Sequence, residues 1–312
     1  MHFDIVGGCQ LRCVGCPNST LRPKAKPIAL ADFAQCMANV DVEHIERLQL
    51  FNYGEPLLHP DLPGIFRVLA DHQDRITRLE ISTNAQFVRW KQLEEVMHMK
   101  LLTHLAVSCD GDGTPESYER LRPPGRWPKL IEFLSRIGEM RDRIDPDLEL
   151  FTRTVISERD DIPRWKSVLE PLGWRSEFRG WKILPQSADN PSGRTIVPGR
   201  GVCIFVESLT QLYVAGDGTV VPCCAHPRAG ELGSLMTSKW SEIVESQARA
   251  SFVNELENDR GSMEICSACE FGPAAARGPS AGPSLPAGVT PAMAGIARKR
   301  ATVRPTPSPS KA

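Results

Sequence analysis

No stretch of this 312-residue chain approaches the roughly 18 consecutive apolar residues of a membrane span. The first residues, MHFDIVGG, lack both a basic n-region and a long apolar run, so they do not read as a secretory signal. An excess of one charge is missing too, since 37 basic against 38 acidic groups leave a net of −1. That balance hides an asymmetry. From Pro273 onward stand Arg277, Arg298, Lys299, Arg300, Arg304 and Lys311 and no acid, which leaves 31 basic and 38 acidic groups before them, a net of −7. An acidic body argues against broad nucleic-acid binding, which needs many phosphate contacts. Together these absences lead us to expect a cytoplasmic protein with neither membrane nor nucleic-acid partners.

The last 40 residues, rich in Pro, Ala, Gly and Ser, cannot bury enough apolar surface to offset their chain entropy. We expect disorder over 273–312, with the run Ala297 to Arg300 a solvated charge cluster rather than a docking site. Length suggests about two further domains, placed at 1–190 and 191–272. The first has a rhythm. Apolar strand patterns at 3–6, 47–54, 78–84, 101–111, 148–156 and 179–185 alternate with helical patterns at 28–40, 61–72, 88–99, 126–140 and 161–173. Such alternation makes a parallel sheet with crossover helices, here a partial (β/α)6 parallel barrel. Working residues gather at the carboxyl ends of parallel strands. The unusual residues fall there: Cys9, Cys13 and Cys16 after the first strand, Tyr53-Gly54-Glu55 after the second, Ser82 to Asn84 after the third, Ser108 to Gly111 after the fourth.

Ten cysteines in a chain of this kind are more often metal ligands or buried thiols than disulfides. Three of them occupy eight residues, Cys9 to Cys16. Thiolates on one loop suit zinc, copper(I) or iron-sulfur centres. A closed zinc site wants four ligands, and a cubane wants one cysteine per iron. Three cysteines leave one iron open to bind a substrate or cofactor, which points to catalysis. A zinc site completed from elsewhere, or plain buried thiols, are the alternatives. A second group lies farther on: Cys203, Cys223, Cys266 and Cys269. Between them, 209–224 reads as a β-hairpin around Gly216-Asp217-Gly218, and 238–256 as one helix capped by Ser238, burying Trp240, Ile243 and Ala250. Hairpin, helix and closing Cys-x2-Cys bring four thiols together, a closed set that fits an auxiliary cluster or, on ligand count alone, a structural zinc. Cys224, next to Cys223, is a rival ligand. His226 reads as incidental, and Cys36 and Cys109 as core.

The spacing Cys9-x3-Cys13-x2-Cys16 after a first strand resembles the cluster loop of the radical S-adenosylmethionine (SAM) superfamily. Tyr53-Gly54-Glu55-Pro56 resembles its glycine-glutamate motif, which takes the SAM amino group. Ser82 and Asn84 resemble the third-strand SAM contacts, Ser108 and Asp110 the positions near the ribose, and Trp181 to Pro185 the segment near the adenine. Gly15 departs from the pattern, where the family often has an aromatic. The region from Cys203 resembles the SPASM/twitch extension, and its glycine-x4-cysteine spacing from Gly218 selects Cys223. The resemblance implies a SAM-binding 4Fe-4S cluster on Cys9, Cys13 and Cys16, and an auxiliary 4Fe-4S cluster on Cys203, Cys223, Cys266 and Cys269. It implies cleavage of SAM to a 5'-deoxyadenosyl radical that abstracts hydrogen from substrate, with flavodoxin or ferredoxin as reductant. Arg153, on the fifth strand, is a candidate catalytic contact to a carboxylate, against the alternative of an outward charge.

Within the superfamily, one four-cysteine auxiliary set with Cys16-Pro17-Asn18-Ser19 and the run Tyr53 to Leu58 is similar to the 2-deoxy-scyllo-inosamine dehydrogenase type. That likeness implies radical oxidation of a sugar or aminocyclitol. Peptide or protein maturation is the second reading, weakened because the first strand begins almost at Met1 with no peptide-recognition domain before it. A non-catalytic iron-sulfur carrier is the third, disfavoured because a carrier has no use for a SAM pocket.

Overall fold

The structure is a computed structural model and describes residues 1–187, 195, 197–207 and 210–272. The expected tail, 273–312, lies outside the described residues. Six parallel strands run β1 (His2–Phe3), β2 (Ile45–Gln49), β3 (Ile76–Thr83), β4 (His104–Asp110), β5 (Glu149–Ile156) and β6 (Arg175–Gly180), each paired with the next. Between them lie α1 (Pro17–Leu21), α2 (Leu30–Asn39), α3 (Leu62–Ala70), α4 (Trp90–His98), α5 (Pro115–Leu121), α6 (Trp127–Ile144) and α7 (Asp161–Leu169). This is the expected partial (β/α)6 barrel.

Local chemistry accounts for the helices. In α3, Asp61 accepts the amide of Gly64 at 2.8 Å, Pro63 sits in the first turn, and Leu62, Ile65, Phe66 and Leu69 bury one face. Thr114 caps α5, with Pro115 at its first position. In α6, Leu130, Phe133, Leu134, Ile137 and Ile144 repeat at helical spacing on the buried side. Strand β4 is buried on both faces through Leu105, Ala106, Val107 and Cys109, as a parallel strand under helices must be.

The hairpin strands β7 (Tyr213–Val214) and β8 (Thr219–Val221) and the short β9 (Gly233–Ser234) extend this same sheet. Its order is β9-β8-β7-β1-β2-β3-β4-β5-β6, with β7 parallel to β1 and antiparallel to β8. The hairpin turn needs Gly218, whose φ is +84° and where a Cβ would stand 2.9 Å from Cys36 Sγ. Cys36, on α2, is fully buried against that turn and Met236, and Cys109 is fully buried on β4.

Three expectations need correction. The first strand stops at Phe3, because the Asp4 side chain turns to another task, and Val6–Gly7 pairs instead with Lys26–Pro27. The sixth strand is Arg175–Gly180, not 179–185. It is a half-exposed edge strand with polar residues on both faces, so its pattern carries no signal, whereas Ile183 and Pro185 are buried from a loop. The helix drawn over 238–256 is two, α9 (Trp240–Val244) and α10 (Gln247–Asn258), with α8 (Ile204–Glu207) preceding the hairpin. Ser246, not Ser238, caps α10 by accepting the Arg249 amide at 3.2 Å. The break resets the helical phase, so Ile243, Phe252 and Leu256 are buried and Ala250 is exposed.

Phe3 is fully buried and meets Phe33 edge to face at 5.0 Å between ring centres, on the strand that joins hairpin to barrel. Phe3→Ala is expected to cost about 3–5 kcal/mol of stability, read as a lowered denaturant midpoint. A loss within about 0.5 kcal/mol would mean that β1 does not hold the sheet together.

Candidate active site and thiol clusters

The loop of Cys9, Cys13 and Cys16 follows β1 at the carboxyl rim of the barrel and is hydrogen-bonded to the far end of α5: the Arg12 amide donates to Pro123 O at 2.6 Å, the Val14 amide to Leu121 O at 2.8 Å. All three thiols are free and partly buried. Burial pushes Cys9 up to about 11 and Cys13 up to about 12, and raises Cys16; each thiol also raises a neighbour in the set.

The loop after β2 is shaped by Asp4. Its carboxylate accepts the amides of Asn52 at 2.6 Å, Tyr53 at 3.0 Å and Gly54 at 2.9 Å. Gly54 is pressed so close to the Val6 carbonyl that a Cβ would lie 1.6 Å from its oxygen. Glu55 is buried and points across to β3, where it accepts the Thr83 hydroxyl at 2.6 Å and the Asn84 amide at 2.7 Å, besides the Leu57 amide at 3.1 Å. Asn84 in turn reaches back to the cysteine loop, donating to Cys9 Sγ at 3.3 Å and to Gln10 Oε1 at 3.2 Å. Pro56 opens the short turn Pro56–Leu58 and Ser82 is buried near the end of β3. Asp4, Glu55 and Asn84 thus tie three strand ends into one rim.

Ser108 stands beside Arg153 in register. Asp110 is not free: it pairs with the buried guanidinium of Arg122, and accepts the Val155 amide at 3.3 Å. Arg122, between Leu121 and Pro123, lies under the cysteine loop close enough to pull all three thiols toward thiolate. Sequence reading missed it; a lone arginine after a short amphipathic segment carries no signal. Trp181 follows β6 and donates from Nε1 to the Ser157 hydroxyl at 3.2 Å. Arg153 faces inward. It pairs with the fully buried Glu80, which Arg78 also holds at 2.8 Å, and its guanidinium lies over Phe51 at 4.9 Å. Burial pushes Glu80 up, but Arg153 and Arg78 outweigh it and hold the carboxyl below its usual range. Arg153 Nη1 is buried without a partner among the described residues.

The second thiol set gathers Cys203 at the start of α8, Cys223 after β8, and Cys266 and Cys269 around the last turn, all buried. Burial raises Cys266 to about 11 and Cys223 to about 12, and the nearness of Cys203 raises Cys223, Cys224, Cys266 and Cys269 further. A common geometry links members of both sets. The sulfur of Cys9 receives the Leu11 amide, Cys16 that of Asn18, Cys223 those of Ala225 and His226, and Cys269 that of Phe271. An amide aimed at sulfur favours thiolate, and no amide is among the groups that shift the core thiols Cys36 and Cys109. Cys224 lies beside the Tyr213 hydroxyl, which donates to Gln211 Oε1, and the only amide among the groups that shift it is its own. His226 is fully buried, its Nδ1 accepting the Arg228 amide at 3.2 Å and its Nε2 without a partner among the described residues.

Tyr53 connects the two sets. Its hydroxyl is buried without a partner among the described residues. Burial raises it well above the ordinary tyrosine range, and the thiols of Cys223 and Cys224, the Asp4 carboxylate and the Cys16 thiol add to the rise, so it lies within electrostatic reach of both sets.

Compared with known proteins, residues 4–150 match the family model of the radical SAM superfamily, and residues 203–270 match SPASM, an iron-sulfur cluster-binding domain. The chain carries a radical SAM domain and an iron-sulfur cluster-binding SPASM domain. No curated protein matches it at a significant level. Among solved structures it resembles BtrN in complex with AdoMet and 2-DOIA, with 17% identity, 85% of this chain and 89% of that one covered, and a TM-score of 0.52. It also resembles native anSMEcpe with bound AdoMet and Cp18Cys peptide, at 13% identity, 86% coverage of each chain and a TM-score of 0.58. At such identities these likenesses speak for the fold.

The residues fit the cofactors of a radical SAM protein, SAM with a 4Fe-4S cluster and an auxiliary iron-sulfur centre. Each thiol set is near enough for mutual influence, yet among the described residues no three donors draw together around a single metal ion. Amides already turned toward sulfurs in both sets suit thiolate ligands. No helix among the described residues is long and apolar enough to cross a membrane.

Glu55 gives a pH test. Burial raises it from 4.5 to about 7, so the folded chain holds a proton that the unfolded chain releases. Its charging therefore weakens the fold as pH rises from about 4.5 to about 7, by up to about 3 kcal/mol. Glu55→Gln is expected to gain stability relative to the parent across that window and to run parallel above it, read by thermal melts of the cluster-free protein. Parallel melts throughout would show that the Glu55 carboxyl titrates normally. The amide pair predicts a second contrast: Cys223→Ala should lose about half the iron of the reconstituted protein, and Cys224→Ala little. The reverse pattern would make Cys224 the ligand.

Proposed function

We propose that this radical SAM protein is an oxidoreductase that removes two electrons from a small polar substrate of the sugar or aminocyclitol kind, with the auxiliary cluster as acceptor of the second electron. The observation that carries this reading is the buried, unpartnered Tyr53 hydroxyl, which feels thiols of both sets, Cys16 of the first and Cys223 of the second. Thiols of both sets therefore lie within electrostatic reach of one buried group. A carbinol radical formed near that group releases its hydroxyl proton to water, and the ketyl left behind is strongly reducing and passes its remaining electron to the auxiliary cluster.

Bound at Cys9, Cys13 and Cys16, the cluster and SAM supply a 5'-deoxyadenosyl radical that takes a hydrogen atom from an unactivated carbon. The rest falls to the chain. Backbone groups of Tyr53 and Gly54, held in place by Asp4, receive the SAM amino group. Arg122 offers a buried positive charge under the loop, suited to a carboxylate. Ser82, Asn84, Ser108 and Trp181 line the path from amino group to adenine, as the superfamily pattern suggests, while Asp110 acts through Arg122. Arg153, anchored by Glu80, presents one unpartnered nitrogen to the interior, where it orients a substrate oxygen. Cys203, Cys223, Cys266 and Cys269 hold the auxiliary cluster. A flavodoxin or ferredoxin delivers the first electron, and we assign 191–272 to the auxiliary module.

The test is anaerobic. The protein is reconstituted with iron and sulfide, mixed with SAM and dithionite, and assayed for 5'-deoxyadenosine. The parent should form it and Cys13→Ala should not, by at least about 100-fold. With aminocyclitols and amino sugars present, one ketone should form per SAM consumed, and Cys203→Ala should abolish the ketone while sparing SAM cleavage. Turnover of cysteine- or serine-containing peptides instead would make the protein a peptide maturase. Loaded clusters without any SAM cleavage, with either substrate class present, would leave an electron carrier.

A further inference from the structure

Arg260 is an arginine at the end of α10, and it is 8% exposed. Nothing in the sequence around it singles it out. Its planar guanidinium spends its donors on main-chain carbonyls. Nε donates to Cys266 O at 2.9 Å, Nη2 to Cys269 O at 3.1 Å and Phe271 O at 2.7 Å, and Nη1 to Gly201 O at 2.9 Å. Cys266 and Cys269 bear two thiols of the auxiliary set, and Gly201 lies two residues before a third, Cys203. The two segments also bond to each other: the Gly199 amide donates to Cys269 O at 2.8 Å, and the Ile204 amide to Gly272 O at 3.0 Å.

We propose that Arg260 is a positioning residue of the auxiliary site: its guanidinium locks the segments carrying Cys203, Cys266 and Cys269 into one frame and leaves a fixed positive charge beside the cluster they hold. This rests on the reading of those cysteines as cluster ligands.

Two physical arguments support it. Four carbonyls converging on one buried point repel one another, and although the Gly199 and Cys269 amides also reach two of them, only a planar fork with several donors holds all four together. Frame and thiols are therefore arranged before iron arrives, which reduces the ordering cost of cluster binding. Carbonyl dipoles stabilise the cation but leave its unit charge in place, held against the backbone of Cys266 and Cys269. A cluster becomes more negative on reduction, so a nearby fixed cation raises its potential. An electron acceptor needs that.

The test compares the parent with Arg260→Lys, which keeps the charge but not the fork, and Arg260→Gln, which loses the charge. Iron and sulfide per chain are measured after anaerobic reconstitution. Auxiliary-cluster potentials are measured by EPR redox titration in a Cys9→Ala, Cys13→Ala, Cys16→Ala background, where only that cluster can form. The parent should bind about eight irons, as two cubanes require. Both variants should load the auxiliary site less than half as well. Whatever cluster Arg260→Gln retains should titrate at lower potential than the parent, and that of Arg260→Lys close to it. Full loading of both variants at an unchanged potential would overturn the proposal. If Arg260→Gln does not fold, full loading of Arg260→Lys alone overturns it. A parent with about four irons would instead overturn the underlying reading of the second thiol set.

Discussion

The rim of the barrel hangs on one carboxylate. Asp4 leaves the sheet immediately after β1 and accepts three consecutive amides of the loop after β2. A buried carboxylate needs such donors to offset its lost hydration, and three adjacent amides need an acceptor to lie in a tight curve. Burial still raises Asp4 to about 6, so the desolvation cost is only partly recovered. With the curve set, Gly54 can press against Val6, Glu55 can reach Thr83 and Asn84, and Asn84 can reach Cys9. Each link depends on the one before. The cysteine loop is thereby oriented from a distance, through a chain of hydrogen bonds that begins at the first residue beyond β1.

The same short strand serves the other thiol set. His2 bonds to both neighbours, β2 on one side and β7 on the other, and its ring stacks on Tyr213 at 5.0 Å. The auxiliary hairpin is therefore an extension of the barrel sheet rather than a module resting on it. Shared backbone pairing fixes the hairpin against β1, and Tyr53 ends up within electrostatic reach of both groups of sulfur. For a reaction in which an electron leaves a short-lived radical, such fixed proximity matters more than any single side chain.

Much of this was readable beforehand. Helical and strand periodicities located β2 to β5 and their crossover helices, because each buries a contiguous apolar face against the sheet. The cysteine spacings and the Tyr53 to Pro56 motif marked the site because few other chemistries use that pattern. The failures have physical causes. Strand β6 is an edge strand without apolar alternation, and the α9–α10 break lies in a sequence that is helical on both sides of Ser246. Arg122, Arg260 and Asp4 escaped notice because an isolated charged residue looks the same whether solvated or buried with partners distant in the chain.

The sequence by itself determined the inventory: which thiols exist, how they are spaced, and that strands and helices alternate to carry them to one rim. These depend on short-range spacing and periodicity, which the chain carries locally. Only the tertiary structure decided that Glu80 is buried, that Arg153 points inward onto it, and that Tyr53 lies near thiols of both sets. Those depend on contacts between residues 30 to 200 positions apart, such as Asn84 with Cys9 or Asn39 with Leu235. Long-range packing and the loss of water set them, and no local pattern encodes either.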